Sequence, residues 1–453
     1  MISFKDKNKA LMYLAELRFG YGITKSINYS NKNPKKYLSD QLQRPELLVH
    51  QGANSLDLLK QFYGINNAMK MIKDTKAKKE AQKKRNKAIR KSQENDAKQK
   101  IEQMTFSKTP FYERLVSFWS DHFCIAKKNQ QVQMLAGCYE REAIRPHVLG
   151  SFENMLIASA QHPAMLIYLD NANSISKSSI AGSRRKKSIN ENLAREILEL
   201  HTLGVDKGYT QNDVIALAEL ISGWSIPRKK EVMRTQKSFF FRKNAHSRDK
   251  IYFLGNTFMP KEGLNRGIRA LKLIARHPNT ATHISTKMAN HFTGGRASVK
   301  MIKNLENTFI RTKGNLHAMA LSLIQQDEIW TLEQKQMIPP IDYLIMIDRI
   351  LGLKPNIKDT GKFLRATGQI LWQPPSPKGW EVSINNWASP DSFLERLRWI
   401  QHIVKKQRVK NIHNHINLDD IPISMEVSEY MNEVKKDSQK LEIFLMSPMM
   451  IRR

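Results

Sequence analysis

The chain has 453 residues, 74 Lys and Arg against 42 Asp and Glu, and a formal net charge of +32 at pH 7. Hydrophobic residues make up 41%, enough for a sizeable core, so a disordered polyelectrolyte is excluded. Two cysteines, Cys124 and Cys138, exclude a disulfide framework and a thiolate metal cluster.

The first residues, Met1–Ala10, contain no apolar stretch of signal-peptide length. No apolar run approaches the roughly 20 residues of a membrane helix, so the default reading is a cytoplasmic chain without a membrane span. Residues 1–65 read as an N-terminal helical segment broken by Gly20, Gly22 and a polar run. Residues 66–106 read as a basic helical arm or linker: Lys70–Lys100 has no Gly or Pro and roughly nine net positive charges. Residues 107–453 read as the main helical domain. Its first helix sets Leu115, Phe118, Trp119 and His122 three and four apart. A second runs from Phe152 toward His162-Pro163. Ser188–Glu191 fits a capping box opening a helix that Gly204 stops, and Thr210–Asp213 opens another that closes near Gly223. Residues 228–262 look like a long loop or short hairpin. Helices resume at Leu264–Arg276, after Pro278, and at 315–326, 340–352 and 391–406, with the Pro374–Trp380 run as a rigid loop between the last two. The predicted fold class is all-α.

Several polar residues fall where a core is expected. On a helical wheel of 190–204, Leu193, Ile197, Leu200 and Leu203 form an apolar arc and Glu196 projects inside it. Asn192 and Glu199 sit near one edge, and His201 just beyond the other. A carboxylate aimed at a core needs a cation, a donor or a proton. The candidate catalytic set is His122, His147, Asp170, Asn171, Asn192, Glu196, His246 and Lys250, with Lys287 and His291 as further partners. His122, His147 and Glu196 would suit a divalent transition metal such as zinc, iron or manganese. No H-E-x-x-H and no pair of Glu-x-x-His motifs supports that choice. A polar network satisfied within itself, and metal-free acid–base chemistry, are the other readings of the same residues. His162 and His277 each precede a proline and read as helix-boundary residues. Cys124 reads as core, no nucleophile elbow is present, and Gly294-Gly295 is a helix stop, not a phosphate loop.

The runs Glu113–Trp119 with Asp121-His122-Phe123, Arg145–Gly150, His162–Asn171, Asn190–Glu196 with Leu198–Gly204, Ser222-Gly223-Trp224 and His277–Ala281 come in a recognisable order. Together with Pro374–Trp380 and Met446-Ser447-Pro448 they resemble the bacterial domain-of-unknown-function family 1800, over roughly residues 105–453. The resemblance implies a fold and motif positions but no reaction. It also implies an envelope location and a sulfatase-like partner protein encoded nearby. Ser247-Arg248-Asp249 and Glu381-Val382-Ser383 depart from the Pro-Gly and Gly-rich stretches of similar proteins.

Two classes of function follow. One is an enzyme, with or without a metal, built from the candidate catalytic set. The other is non-catalytic: a polyanion-binding protein using Lys83, Lys84, Arg85, Arg184, Arg185, Lys186, Lys187, Arg242 and Lys243, or a scaffold for a partner protein.

Overall fold

The computed structural model describes residues 7–24, 32–46, 52–185, 189–331, 336–380, 387–407 and 423–453. The all-α class holds. Strands among the described residues are confined to two short antiparallel pairs, β1 (Trp224–Ser225) with β2 (Phe240–Phe241), and β3 (Ile251–Phe253) with β4 (Asn256–Phe258).

The chain opens with α1 (Lys7–Arg18), α2 (Pro34–Gln43), α3 (Ser55–Met71) and α4 (Thr75–Phe106). Asn33, Asn54 and Asp74 cap the last three, each side chain accepting a backbone N–H of the first turn. Helix α4 is a single 32-residue element. Its first turns are solvated, whereas Asp96, Lys100, Ile101 and Met104 near its end are buried.

Next come α5 (Pro110–His122), α6 (Gln130–Tyr139), α7 (Phe152–Gln161), α8 (Pro163–Tyr168), α9 (Ile180–Arg185), α10 (Asn192–Glu196) and α11 (Gln211–Leu220). Beyond the strands lie α12 (Asn265–Ala275), α13 (Pro278–Thr293), α14 (Val299–Arg311) and α15 (Leu316–Ile324). The last group is α16 (Pro340–Leu351), α17 (Ile357–Ala366), α18 (Pro390–Gln407), α19 (Met425–Glu433), α20 (Asp437–Leu445) and α21 (Pro448–Ile451).

These helices enclose two apolar cores. One gathers Phe111, Trp119, Phe152, Leu217 and Ile284; the other gathers Ile101, Met104, Tyr343, Ile347 and Phe444. Helix α1 serves both, sending Ala15 and, just past its end, Phe19 into the first and Met12, Tyr13 and Leu17 into the second.

Local signals explain most helix ends. The Thr210–Asp213 capping box is complete, and Gly294 closes α13 in the left-handed conformation. His162 and His277 do act at boundaries: each accepts, through Nδ1, the N–H of the residue after the proline, at 3.1 Å. The Ser188–Glu191 box is not the start of α10. Ser188 lies outside the described residues, and Asn190 Oδ1 accepts the Asn192 N–H instead, at 2.9 Å. Helices α14, α17, α19 and α20 were not anticipated from the sequence.

The wheel over 190–204 fails for a physical reason. Regular helix lasts only from Asn192 to Glu196, and Ile197–His201 is π-helical. A π turn widens the spiral by about one residue and resets every later direction. His201 consequently turns inward, to 3% exposure, while Glu196 and Leu200 stay half-buried and Asn192 is exposed.

Candidate active site

Helix α5 lies along the boundary and buries both of its faces. Phe111, Leu115, Trp119 and His122 point into the first core. Arg114, Ser117 and Asp121, three and four apart on the other face, line a cavity of about 140 Å³. Met104, Cys124, His291 and the indoles of Trp372, Trp380 and Trp387 complete much of its wall.

The Pro374–Trp380 loop places the key carboxylate. Trp380 N–H donates to Asp121 Oδ1 at 2.8 Å, and the Cys124 thiol donates to Pro377 O at 3.2 Å. Gly379 has φ +87°, and a Cβ there would lie 2.7 Å from both the carbonyl oxygen and Oδ1 of Asp121. Glycine is thus required twice, by its left-handed backbone and by the close approach. Burial lifts the Asp121 pKa to about 6, although the Trp380 N–H and the nearby Lys287 both pull it down. Burial also lowers the pKa of Lys287, opposed by Asp121 and Cys124. The two groups hold each other's charge in a poorly solvated place.

Lys287 belongs to a row. His283, Lys287 and His291 are spaced by four on α13, which lays them along one face toward α5. The π turn supplies their counterparts. Its carbonyls lack ordinary helical partners, and imidazoles satisfy two of them: His122 Nε2–H donates to His201 O and His283 Nε2–H to Leu200 O, both at 3.1 Å. Burial keeps all four imidazoles neutral, with His201 at about 3, His283 at about 4, and His122 and His291 well below their ordinary value. Lys287 pushes each in the same direction. Among the described residues, His122 Nδ1 and His291 Nε2 are buried without a hydrogen-bond partner.

Ion pairs frame the cavity. Arg145 grips Glu113 through two bonds of 2.8 Å and also reaches Glu140, which Lys100 engages from the other side. Burial would raise the Glu140 pKa, but Lys100 and Arg145 hold it at about 2. Opposite, Asp342 is shared by Arg114 and Arg453.

The sequence-derived candidates scatter. His122 is at the site. Glu196 does not line the cavity but is close enough to Lys378 and Cys124 for charge coupling, with its pKa raised by burial and by Glu199. His147 is half-buried in a separate 3-10 turn. Asp170 pairs with Lys128 at the surface (2.5 Å), and the buried Asn171 donates to Trp224 O at 3.0 Å. His246 is structural: its Nδ1 donates to Ser222 O at 2.7 Å, its Nε2 accepts from Arg266, and burial holds its pKa at about 4. The Ser247 and Asp249 backbone carbonyls accept the rest of that guanidinium. Lys250 is exposed over Tyr252.

His122, His147 and Glu196 therefore do not assemble as metal ligands. Among the described residues the one group of three whose ligand atoms all lie within 4.8 Å is Cys138, Glu142 and His162. Hydrogen bonding argues against a metal there too. His162 Nδ1 already accepts the Ala164 N–H, so its proton sits on Nε2 and is donated to Glu142 at 3.0 Å. A metal on Nε2 would leave Nδ1 needing a proton exactly where a donor faces it. Glu142 also accepts from Ser55 N and Oγ at 2.7 and 2.6 Å, completing a helix-tying network.

Asp121 and Lys287 are what the sequence reading undervalued. Asp121 stood inside a motif run but next to a more conspicuous histidine. The four-residue spacing of His283, Lys287 and His291 was the available signal.

Of the basic candidates, Lys83, Lys84, Arg184 and Lys243 are exposed, while Arg85 donates to Asn66 Oδ1 at 2.8 Å. Arg242 is committed internally, to Glu231 at 2.9 Å and to Ile226 O at 2.8 Å, and so is no free cation for a polyanion. Lys186, Lys187 and the Arg185 side chain lie outside the described residues, as do residues 381–383. No described helix is long and apolar enough to cross a membrane.

A family model described as protein of unknown function (DUF1800) matches residues 15–451. No curated protein and no solved structure matches the chain.

Proposed function

As the chain belongs to the DUF1800 family, whose function is unknown, we propose that it is an enzyme whose site is the cavity between its two cores. Asp121 is the proton-transferring group, and Lys287 is the buried charge that tunes it. The single observation that carries the reading is the state of Asp121: a carboxyl in a cavity wall, aimed by the Trp380 N–H, with a pKa of about 6. A general acid–base works best with a pKa near the working pH, and such shifts gather at functional sites. Ser117 and Ser120, on the same helix, also line the cavity, with their hydroxyls bonded to Tyr21 Oη at 2.7 Å and to Glu140 Oε2 at 3.2 Å.

The test is untargeted mass spectrometry of a bacterial small-molecule extract incubated with wild type, Asp121→Asn or Lys287→Met. The expected result is at least one compound consumed by wild type and about 100-fold more slowly by Asp121→Asn. Equal consumption by wild type and Asp121→Asn, or none by wild type between pH 5 and 8, refutes the proposal.

A second reading has its own support, a basic cleft between α3 and α4 lined by Lys70, Lys78, Arg85 and Lys229 without an acidic neighbour in its lining. On this reading the cleft and the exposed Lys83 and Lys84 hold a polyanion. Retention on heparin that persists through physiological salt and falls in a Lys78→Ala/Lys229→Ala variant supports it; loss of wild-type retention below that salt refutes it. The sulfatase-like partner implied by resemblance is tested by co-purification.

A further inference from the structure

We infer that the basic cleft between α3 and α4 takes a nucleoside phosphate, its phosphate on Arg85 and Lys78 and its base against Tyr63. The inference names a ligand class for the polyanion reading and rests on that reading for the cleft as an anion site.

Arg85 is the centre of the site. It stands in the cleft wall on α4, and Asn66 of α3 accepts its Nη1–H at 2.8 Å. Its Nε is buried with no hydrogen-bond partner, and among the described residues Nη2 has none either. Nε–H and Nη2–H run parallel along one edge of the planar guanidinium, the edge that grips two oxygens of an oxyanion. Asn66 therefore fixes the group while leaving its bidentate edge open, and a buried donor without an acceptor is costly.

The charge around that edge is positive. Lys70 near the end of α3, Lys78 in the first turn of α4 and Lys229 line the same cleft, and no acidic residue lines it. Two carboxylates outside the lining are engaged elsewhere. Asp74 accepts the Ala77 N–H as the cap of α4, and Glu231 holds Arg242 at 2.9 Å and accepts the Arg228 N–H. One guanidinium and three amines match a phosphomonoester, which brings about two negative charges and three acceptor oxygens at pH 7. A carboxylate or a sulfate ester brings one charge.

Size and lining choose the rest of the ligand. The cleft has a volume of about 400 Å³, within the roughly 300–1,000 Å³ of small-molecule sites and more than a phosphate fills. Its other walls are Tyr63, Met69 and the side-chain amides of Asn66 and Asn67. The Tyr63 ring is half-buried, with Phe62 edge-on at 6.1 Å, and offers a flat face on which a base stacks. The Asn67 amide offers a donor and an acceptor to the edge of that base.

The test is isothermal titration of the full chain, at physiological salt, with adenosine monophosphate, adenosine and inorganic phosphate. Wild type is expected to bind the nucleotide about ten-fold or more tightly than either fragment. Arg85→Met should reduce its preference for the nucleotide over adenosine to about three-fold or less. Lys78→Ala, at an exposed position that leaves the fold intact, should weaken the nucleotide about three-fold or more and leave adenosine unchanged. Tyr63→Leu should weaken the nucleotide about ten-fold and leave phosphate unchanged. Adenosine or phosphate binding as tight as the nucleotide, or nucleotide binding indifferent to both Arg85→Met and Lys78→Ala, overturns the inference. Lys83→Ala/Lys84→Ala, outside the cleft lining, separates the two proposals: it should weaken heparin retention while nucleotide binding stays within about two-fold. Heparin retention through physiological salt without any nucleotide preference sinks this inference alone. Nucleotide binding with heparin lost below that salt sinks the polyanion reading alone and leaves the cleft a small-ligand site.

Discussion

Replacing Asp121 by Asn should stabilise the protein at neutral pH and do almost nothing at pH 4. The carboxyl titrates at about 6 in the folded chain against an ordinary value of 3.8. Its neutral form is the one the fold prefers. The stability that form contributes is fully present below about pH 3.8 and is lost as the pH rises through about 6. Asparagine has the same shape, keeps an oxygen for the Trp380 N–H, and never ionises. The shift spans about two pH units at roughly 1.4 kcal/mol each, so the variant's advantage should grow to about 3 kcal/mol above pH 7. This is an upper figure, because the Asp121 side chain borders a cavity that admits water. Urea-denaturation midpoints of both proteins at pH 4 and pH 7.5 measure the difference directly. Parallel stabilities at the two pH values, or a variant less stable at pH 7.5, would refute the burial argument.

Gly379→Ala should lower the thermal midpoint, because a left-handed alanine costs about 1–2 kcal/mol and its Cβ also drives the loop off Asp121; an unchanged midpoint in scanning calorimetry contradicts this. His162→Ala removes a helix cap and the Glu142 bond and should cost about 1–3 kcal/mol in urea unfolding, while added zinc leaves the wild-type midpoint where it was. A zinc-dependent rise would show instead that Cys138, Glu142 and His162 hold metal. Trp119→Ala empties the centre of the first core and should cost about 3–5 kcal/mol by the same assay, the value depending on how far Phe118 and Phe152 collapse into the space. Arg242→Ala should weaken folding through Glu231 yet leave heparin retention intact, which the salt-elution profile checks.

The all-helical class was legible because amphipathic spacing and caps are local: Pro278 with His277 before it, Gly294 after α13, Thr210 facing Asp213. Burial of His122 was also legible, since it continues the Leu115–Trp119 row. The directions of Glu196 and His201 were not. A wheel assumes a constant turn, and the π segment at Ile197–His201 that breaks it has no marker in residue type; its open carbonyls are satisfied by imidazoles from α5 and α13, far away in sequence. His246 looked like a site residue because histidine is scarce in cores, but Arg266, twenty residues on, makes it a structural acceptor. The cavity itself could not be read from one stretch of chain, since its lining residues Arg114, Asp121, Asp342, Trp380 and Arg453 are far apart in sequence. Asp121 carried no local sign of its shift, which arises from burial and is only partly offset by the Trp380 N–H and Lys287.

The proposal depends on a carboxyl held near neutrality by its surroundings, and the carboxyl carbon of Asp121 reports that state directly. In protein labelled with carbon-13 at aspartate, with Asp121→Asn to assign the signal, the resonance should titrate near pH 6 and move to higher pH in Lys287→Met, which removes the cation pulling it down. A midpoint at or below about 4.5, indifferent to Lys287, would contradict it.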